Sequence, residues 1–170
     1  ALDLVSNYNV ELTFARDNGN VNATISREGG TLRLFANADT TFNAVVTGTS
    51  STTVAEGKTA TFASNEDSSI GGISGAGTLV KNGTGTLTVS GAPYTGTDTD
   101  PIPATVTINV NAGTLKATTA GTLSSGAITV ANGATLEMTI GNVLGTTQAV
   151  SNSGNVLIHN TLTSGKIDGG

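Results

Sequence analysis

The sequence predicts an all-β chain wound as a parallel β-helix with rungs of about 20 residues. Three observations carry this. A Gly-Thr-Leu triplet stands at Gly30, Gly77, Gly85, Gly113 and Gly121 and returns as Ala134-Thr135-Leu136. Apolar and small polar residues alternate over short runs, the period of a half-buried strand, and Gly or Asn-Gly closes the runs. No stretch has the i, i+3, i+4 apolar spacing or charge pairing of a helix.

The elements follow in order. Val10, Leu12 and Phe14 fall on one side of a first strand. Asn18-Gly19 signals a turn into Val21–Ile25, and Gly29-Gly30 a turn into residues 31–35. Residues 42–46 read as a further strand. From Val54 the rhythm becomes clearer: TVAEGKTATF, NVNAGTLKA, TVANGATLEM and AVSNSGNVLI share one form, an apolar residue, small polar ones, a turn and then alternating apolar positions. Residues 71–91, GGISGAGTLVKNGTGTLTVSG, state it most plainly. APYTGTDTDPIPA interrupts it and holds all three prolines, so it reads as an excursion loop at about 92–104. The expected division is 1–53, an N-terminal β region suited to capping or strand exchange, and 54–170, the repeat region. A β-sandwich followed by a short solenoid is the alternative, with residues 1–47 the ambiguous part.

One such rung holds three short strands and three turns, with like residues stacked ~4.8 Å apart. Seven or eight rungs make a rod roughly 35–40 Å long. Leu79, Val80, Leu87, Val89, Leu115, Val130, Leu136 and Ile158 are the expected core. Gly57, Gly77, Asn82, Gly83, Gly113, Asn132, Gly133 and Gly154 are the expected corners, chosen because Gly and Asn tolerate positive φ.

Composition narrows the function classes. Charged residues make up 11 % of the 170 residues and aromatics 4 %. Thr, Ser, Asn and Gly must therefore cover the surface. A net charge of −5, with seven scattered Lys and Arg, gives no footprint for nucleic acid. The absence of Cys excludes disulfides, thiolate metal sites and a Cys nucleophile. No apolar run reaches the length of a membrane-spanning helix, and the opening ALDLVSNYN has no basic n-region and apolar h-region of a signal peptide.

Residues 71–91, with Tyr94-Thr95-Gly96 and then Val110-Asn111-Ala112-Gly113-Thr114-Leu115, resemble the passenger-associated repeat of bacterial autotransporters. That motif runs from a Gly-rich start through a Gly-Thr-Leu-x-Lys strand, a Gly turn, a Thr-Leu-Thr strand, Ser-Gly and Tyr-Thr-Gly to a closing Ala-Gly-Thr-Leu. The likeness covers roughly residues 70–116 and departs from the motif at Thr97–Ile108, where the family has a very short link. It implies a right-handed parallel β-helix on a Gram-negative cell surface, whose repeat helps the passenger fold once outside. It also implies a segment of a larger protein, since the family's translocator barrel is absent from this chain.

No catalytic, cofactor or metal site is expected. His159 alternates with Val156 and Ile158 and is expected to face outward. The twelve carboxylates are scattered, whereas polysaccharide-cleaving β-helices group several. Asp98-Thr99-Asp100 and Glu66-Asp67 offer calcium-type oxygens without a full loop pattern. The expected function is a non-catalytic extracellular structural and adhesive segment. The alternative is a self-assembling filament subunit that pairs through strand edges or donates Val10, Leu12 and Phe14 to a neighbour. Expected partners are further copies of the chain and a host or neighbouring-cell surface.

Overall fold

The computed structural model describes residues 2–5, 8–97, 100–123, 126–146, 148–162 and 165–169, with the side chains of residues 3–5 and 100 left aside. Two or three short strands make each full turn of the chain. β1 (Leu2–Val5) precedes a first turn of β2 (Val10–Phe14), β3 (Gly19–Val21) and β4 (Ile25–Glu28). The second turn is β5 (Leu32–Ala36), β6 (Thr40–Phe42) and the single bridging residue Val46. Two complete turns follow. One is β7 (Ser51–Val54), β8 (Thr59–Phe62) and β9 (Ser68–Ile70); the other is β10 (Gly72–Gly75), β11 (Thr78–Lys81) and β12 (Thr86–Val89). The excursion then carries a small hairpin of β13 (Gly96–Thr97) and β14 (Asp100–Pro101). Beyond it lie β15 (Thr107–Val110) and β16 (Thr114–Ala117), β17 (Ile128–Val130) and β18 (Thr135–Met138), β19 (Ala149–Asn152) and β20 (Asn155–Ile158), and finally β21 (Lys166–Gly169).

Strands of successive turns pair in parallel, and the hairpin is the one antiparallel pair among the described residues. The result is a β-solenoid of about seven turns with about 21 residues in each. One face is the sheet β2, β5, β7, β10, and the second runs through eight strands from β3 to β21. The third includes β9, β12, β16, β18 and β20, with Val46 joining it to β4. Strands before residue 53 thus share sheets with strands after it. The parallel pairing of β2, β5 and β7 replaces the β-sandwich alternative, because a sandwich needs antiparallel neighbours there.

Register builds the core. Ala60, Leu79, Ile108, Ile128 and Val150 form one inward column on the second face, each fully buried. Leu87, Leu115 and Leu136 form another on the third. Each fully buried Leu, Ile or Val contributes ~1.5–3 kcal/mol before the entropy of ordering is set against it. At one end Phe42 packs edge-on to Phe14 and stacks on Phe62, with ring centroids 5.1 and 4.9 Å apart.

Two expected core residues differ. Val80 is half-buried and points outward, because Leu79 and Lys81 take the inward phase of β11. Ile158 is 37 % exposed, because no described strand stacks on β20 from beyond.

Candidate functional site

The expected corner residues fall at two different corners. Gly57 and Gly77 lie where the first face turns into the second, before β8 and β11. Asn82-Gly83, Gly113, Asn132-Gly133 and Gly154 lie where the second turns into the third. Gly57, Gly83, Gly113 and Gly133 have φ of 69°, 75°, 65° and 81°. Gly77 and Gly154 are needed for a different reason: a Cβ on either would collide with a carbonyl of the preceding turn, that of Ala55 or Ala131. Among the described residues Asn18, with φ 57°, is the only non-glycine at positive φ, so Asn82 and Asn132 do not serve the corners in that way.

Inside the second corner sits a residue absent from the expected corner set. Lys81 is buried in the column between Phe62 and Val110. Its Nζ donates to the carbonyls of Asn82 at 2.6 Å, Gly83 at 2.9 Å and, in the next turn, Ala112 at 3.3 Å. Burial pushes its pKa below the usual lysine value, with the nearby Asp67 charge opposing. The ammonium satisfies corner carbonyls that the tight turn leaves without strand partners. The motif's Gly-Thr-Leu-x-Lys spacing was the available signal. Composition alone points the other way, because Lys is ordinarily solvent-facing.

A second cluster lies on the outer side of the third face. Lys116 and Glu137 are register partners on β16 and β18, with Nζ 3.1 Å from Oε1. His159 Nε2 lies 2.9 Å from the same oxygen. Hydrogen bonding by Lys116 holds the Glu137 carboxyl below its usual value, with desolvation opposing it and His159 adding a smaller lowering part. His159 is exposed, and the fold brings it a carboxylate that sequence distance had hidden. Such ion pairs on an open sheet surface contribute little to stability.

The excursion departs from the stack. It lies on the outer side of the first face. A Cβ at Gly72 would collide with the Ala92 carbonyl, so the loop rests directly on the bare backbone of β10. Tyr94 then reaches back to β5, where the Arg33 guanidinium lies 4.1 Å from its ring centroid. After the hairpin, Thr105 N–H donates to the Gly75 carbonyl at 3.0 Å and Ala104 bridges to Gly75, returning the chain to the stack. Beneath this strap the outward residues Ser51, Thr53 and Ser74 are buried, and the Thr53 and Ser74 hydroxyls lie 2.9 Å apart.

Beside the strap a groove of about 390 Å³ opens. Glu11 and Thr13 of β2, Phe35 of β5 and the following Asn37 form its floor; Tyr94 and Ile102 stand in its wall. Val10, Leu12 and Phe14, the residues considered for strand donation, point the other way. They lie partly buried against the core, and β2 pairs along its length with β5 of the same chain.

The chain matches no protein-family model, no curated protein and no solved structure. Among the described residues no three His, Asp or Glu side chains gather as a metal site. Asp67 uses Oδ1 to accept the Thr86 N–H at 2.8 Å, a turn cap rather than a free ligand. Asp98 and Thr99 lie outside the described residues. No helix of the described chain is long and apolar enough to cross a membrane.

Proposed function

We propose that the chain is a non-catalytic structural and adhesive segment of a bacterial surface protein resembling an autotransporter passenger, with residues 71–116 supporting its folding outside the cell. One observation carries the reading. β11, β12, β15 and β16, the strands of the repeat-like segment, form adjacent turns of a continuous stack, locked at their shared corner by Lys81. Such a block templates the next turn by offering a complete parallel edge. It suits a chain that folds progressively as it emerges.

The test is display of the chain on a Gram-negative cell, fused between a secretion signal and a translocator barrel. The intact chain is expected at the surface as a protease-resistant unit that attaches cells to a host or bacterial surface. Removing residues 71–91 is expected to leave it degraded or retained. Equal surface display with and without that segment, or no attachment, overturns the reading.

Open strand edges among the described residues favour a second reading, a self-assembling extracellular subunit. The outer edge of β2 is unpaired among the described strands. At the other end Leu157 and Ile158 are 50 % and 37 % exposed. Electron microscopy with light scattering decides: regular fibres support assembly, and discrete 16.8 kDa particles exclude it.

A further inference from the structure

We infer that the groove between the first face and the excursion binds an uncharged pyranose sugar. The inference rests on the adhesive reading above and gives it a ligand class.

The groove has the composition such a ligand needs. A pyranose has an apolar C–H face and a rim of hydroxyls, so its site pairs an aromatic or aliphatic surface with a few placed donors and acceptors. Phe35 alternates with the inward Leu34 and Ala36, so an aromatic ring lies on the outer side of the sheet, half-buried. Tyr94 and Ile102 stand opposite in the strap. Around these lie an exposed carboxylate, Glu11, which accepts hydroxyl protons, and the exposed amide of Asn37, which both donates and accepts. Thr13 adds a hydroxyl on the same floor. The volume, about 390 Å³, falls in the range of small-molecule sites.

Other ligand classes fit less well. A peptide adding itself as a strand needs free backbone groups, but this floor is the side-chain surface of β2 and β5, whose backbones pair with each other. Anionic glycans meet Glu11 and a chain of net charge −5, and the nearby cation, Arg33, is placed over the Tyr94 ring. Cleavage of a glycosidic bond ordinarily uses two carboxylates, and Glu11 is the one carboxylate among the described lining side chains. The strap makes the groove: without Tyr94 and Ile102 the floor is an open sheet surface.

Saturation-transfer NMR on the purified full chain tests this. The probes are the methyl glycosides of glucose, galactose, mannose and N-acetylglucosamine, with a heparin oligosaccharide as the anionic comparator. At least one glycoside is expected to receive saturation. Glu11→Gln and Asn37→Ala are each expected to weaken its binding about tenfold, the loss of one hydrogen bond to a ligand hydroxyl. Both residues are exposed, so both variants should melt like the parent. Glu137→Gln, on another face, is expected to bind as the parent does. Three results overturn the inference: no saturation of any glycoside, binding unchanged in both groove variants, or preference for heparin. Because this experiment reads the purified chain and cell display reads export and attachment, the two readings fail separately.

Discussion

At the scale of single residues, the corners show that two glycines with similar φ are constrained by different physics. Gly113 and Gly133 both hold positive φ. A Cβ on Gly133 meets nothing within 4 Å, whereas one on Gly113 lies 2.5 Å from the Gly83 carbonyl oxygen, 2.6 Å from that of Gly85 and 2.8 Å from Lys81 Nζ. Gly133→Ala should therefore cost only the left-handed penalty, ~1–2 kcal/mol. Gly113→Ala adds displacement of two backbone carbonyls and should cost ~3 kcal/mol or more. Thermal or urea unfolding of the pair reads the difference, and equal losses would refute the steric account. The sequence could say that both positions turn, but not which corner approaches another turn, because that depends on register with residues about 30 positions away. Lys81 is the converse case. Its replacement by Met keeps the stem that fills the column but removes a donor from three corner carbonyls. Lys81→Met should lose about 2 kcal/mol at neutral pH, the hydrogen-bond loss outweighing the relief of burying a charge. The pH dependence separates these two effects. The folded pKa lies below 10.5, so between the two values the unfolded chain binds the extra proton and stability rises with pH. That rise should be present in the parent and absent in Lys81→Met.

At the scale of elements, strands interact across turns through side chains that the sequence places far apart. Lys116, Glu137 and His159 meet on β16, β18 and just beyond β20. The Glu137 carboxyl is held below its usual 4.5, so its favourable interactions are complete above that value and fade as pH falls through the lowered one. Melting curves from pH 7 downward should show the parent losing stability in that acidic window and Glu137→Gln losing less of it. The excursion is the other element-scale device. Its footing on Gly72 and its Arg33–Tyr94 contact are on the outer surface, whereas the Leu and Val columns lie on the opposite side of the same strands. Replacing residues 93–103 with a short Gly-Ser link should therefore lower stability by only ~1–2 kcal/mol while abolishing the groove. A collapse of the fold in that variant would mean that the strap, not the columns, holds the first face. Strand identity and the rung length were legible because alternation and turn glycines are local signals. The docking of the loop was not, since nothing local to APYTGTDTDPIPA records that it lies against Gly72 and Arg33. The shift from one corner to the next between Gly77 and Gly113 was hidden for the same reason, because each is followed by the same Thr-Leu pair.

At the scale of the whole molecule, a stack in which each turn touches only its neighbours distributes stability along its axis. Inner turns are covered on both sides and end turns on one. Leu79 and Leu115 are fully buried, Val156 is only partly so, and Leu157 and Ile158 are open. Hydrogen exchange should thus be slowest for the ladder amides of β11, β12, β15 and β16 and fastest at β20 and β21. Paired truncations sharpen the test. Leu115→Ala removes a middle member of the Leu87–Leu115–Leu136 column and should cost ~2–5 kcal/mol. It should raise exchange on both sides, because two interfaces lose their filling at once. Val156→Ala weakens one interface at an already exposed end, so its effect should be small and confined to β18, β20 and β21. If both substitutions instead accelerate exchange equally everywhere, the turns unfold as one cooperative unit. The stack would then hold no partly formed state able to template the next turn, and progressive folding outside the cell would lose its physical basis. A graded response would leave the middle turns folded while the ends fray, which is the behaviour a folding template requires.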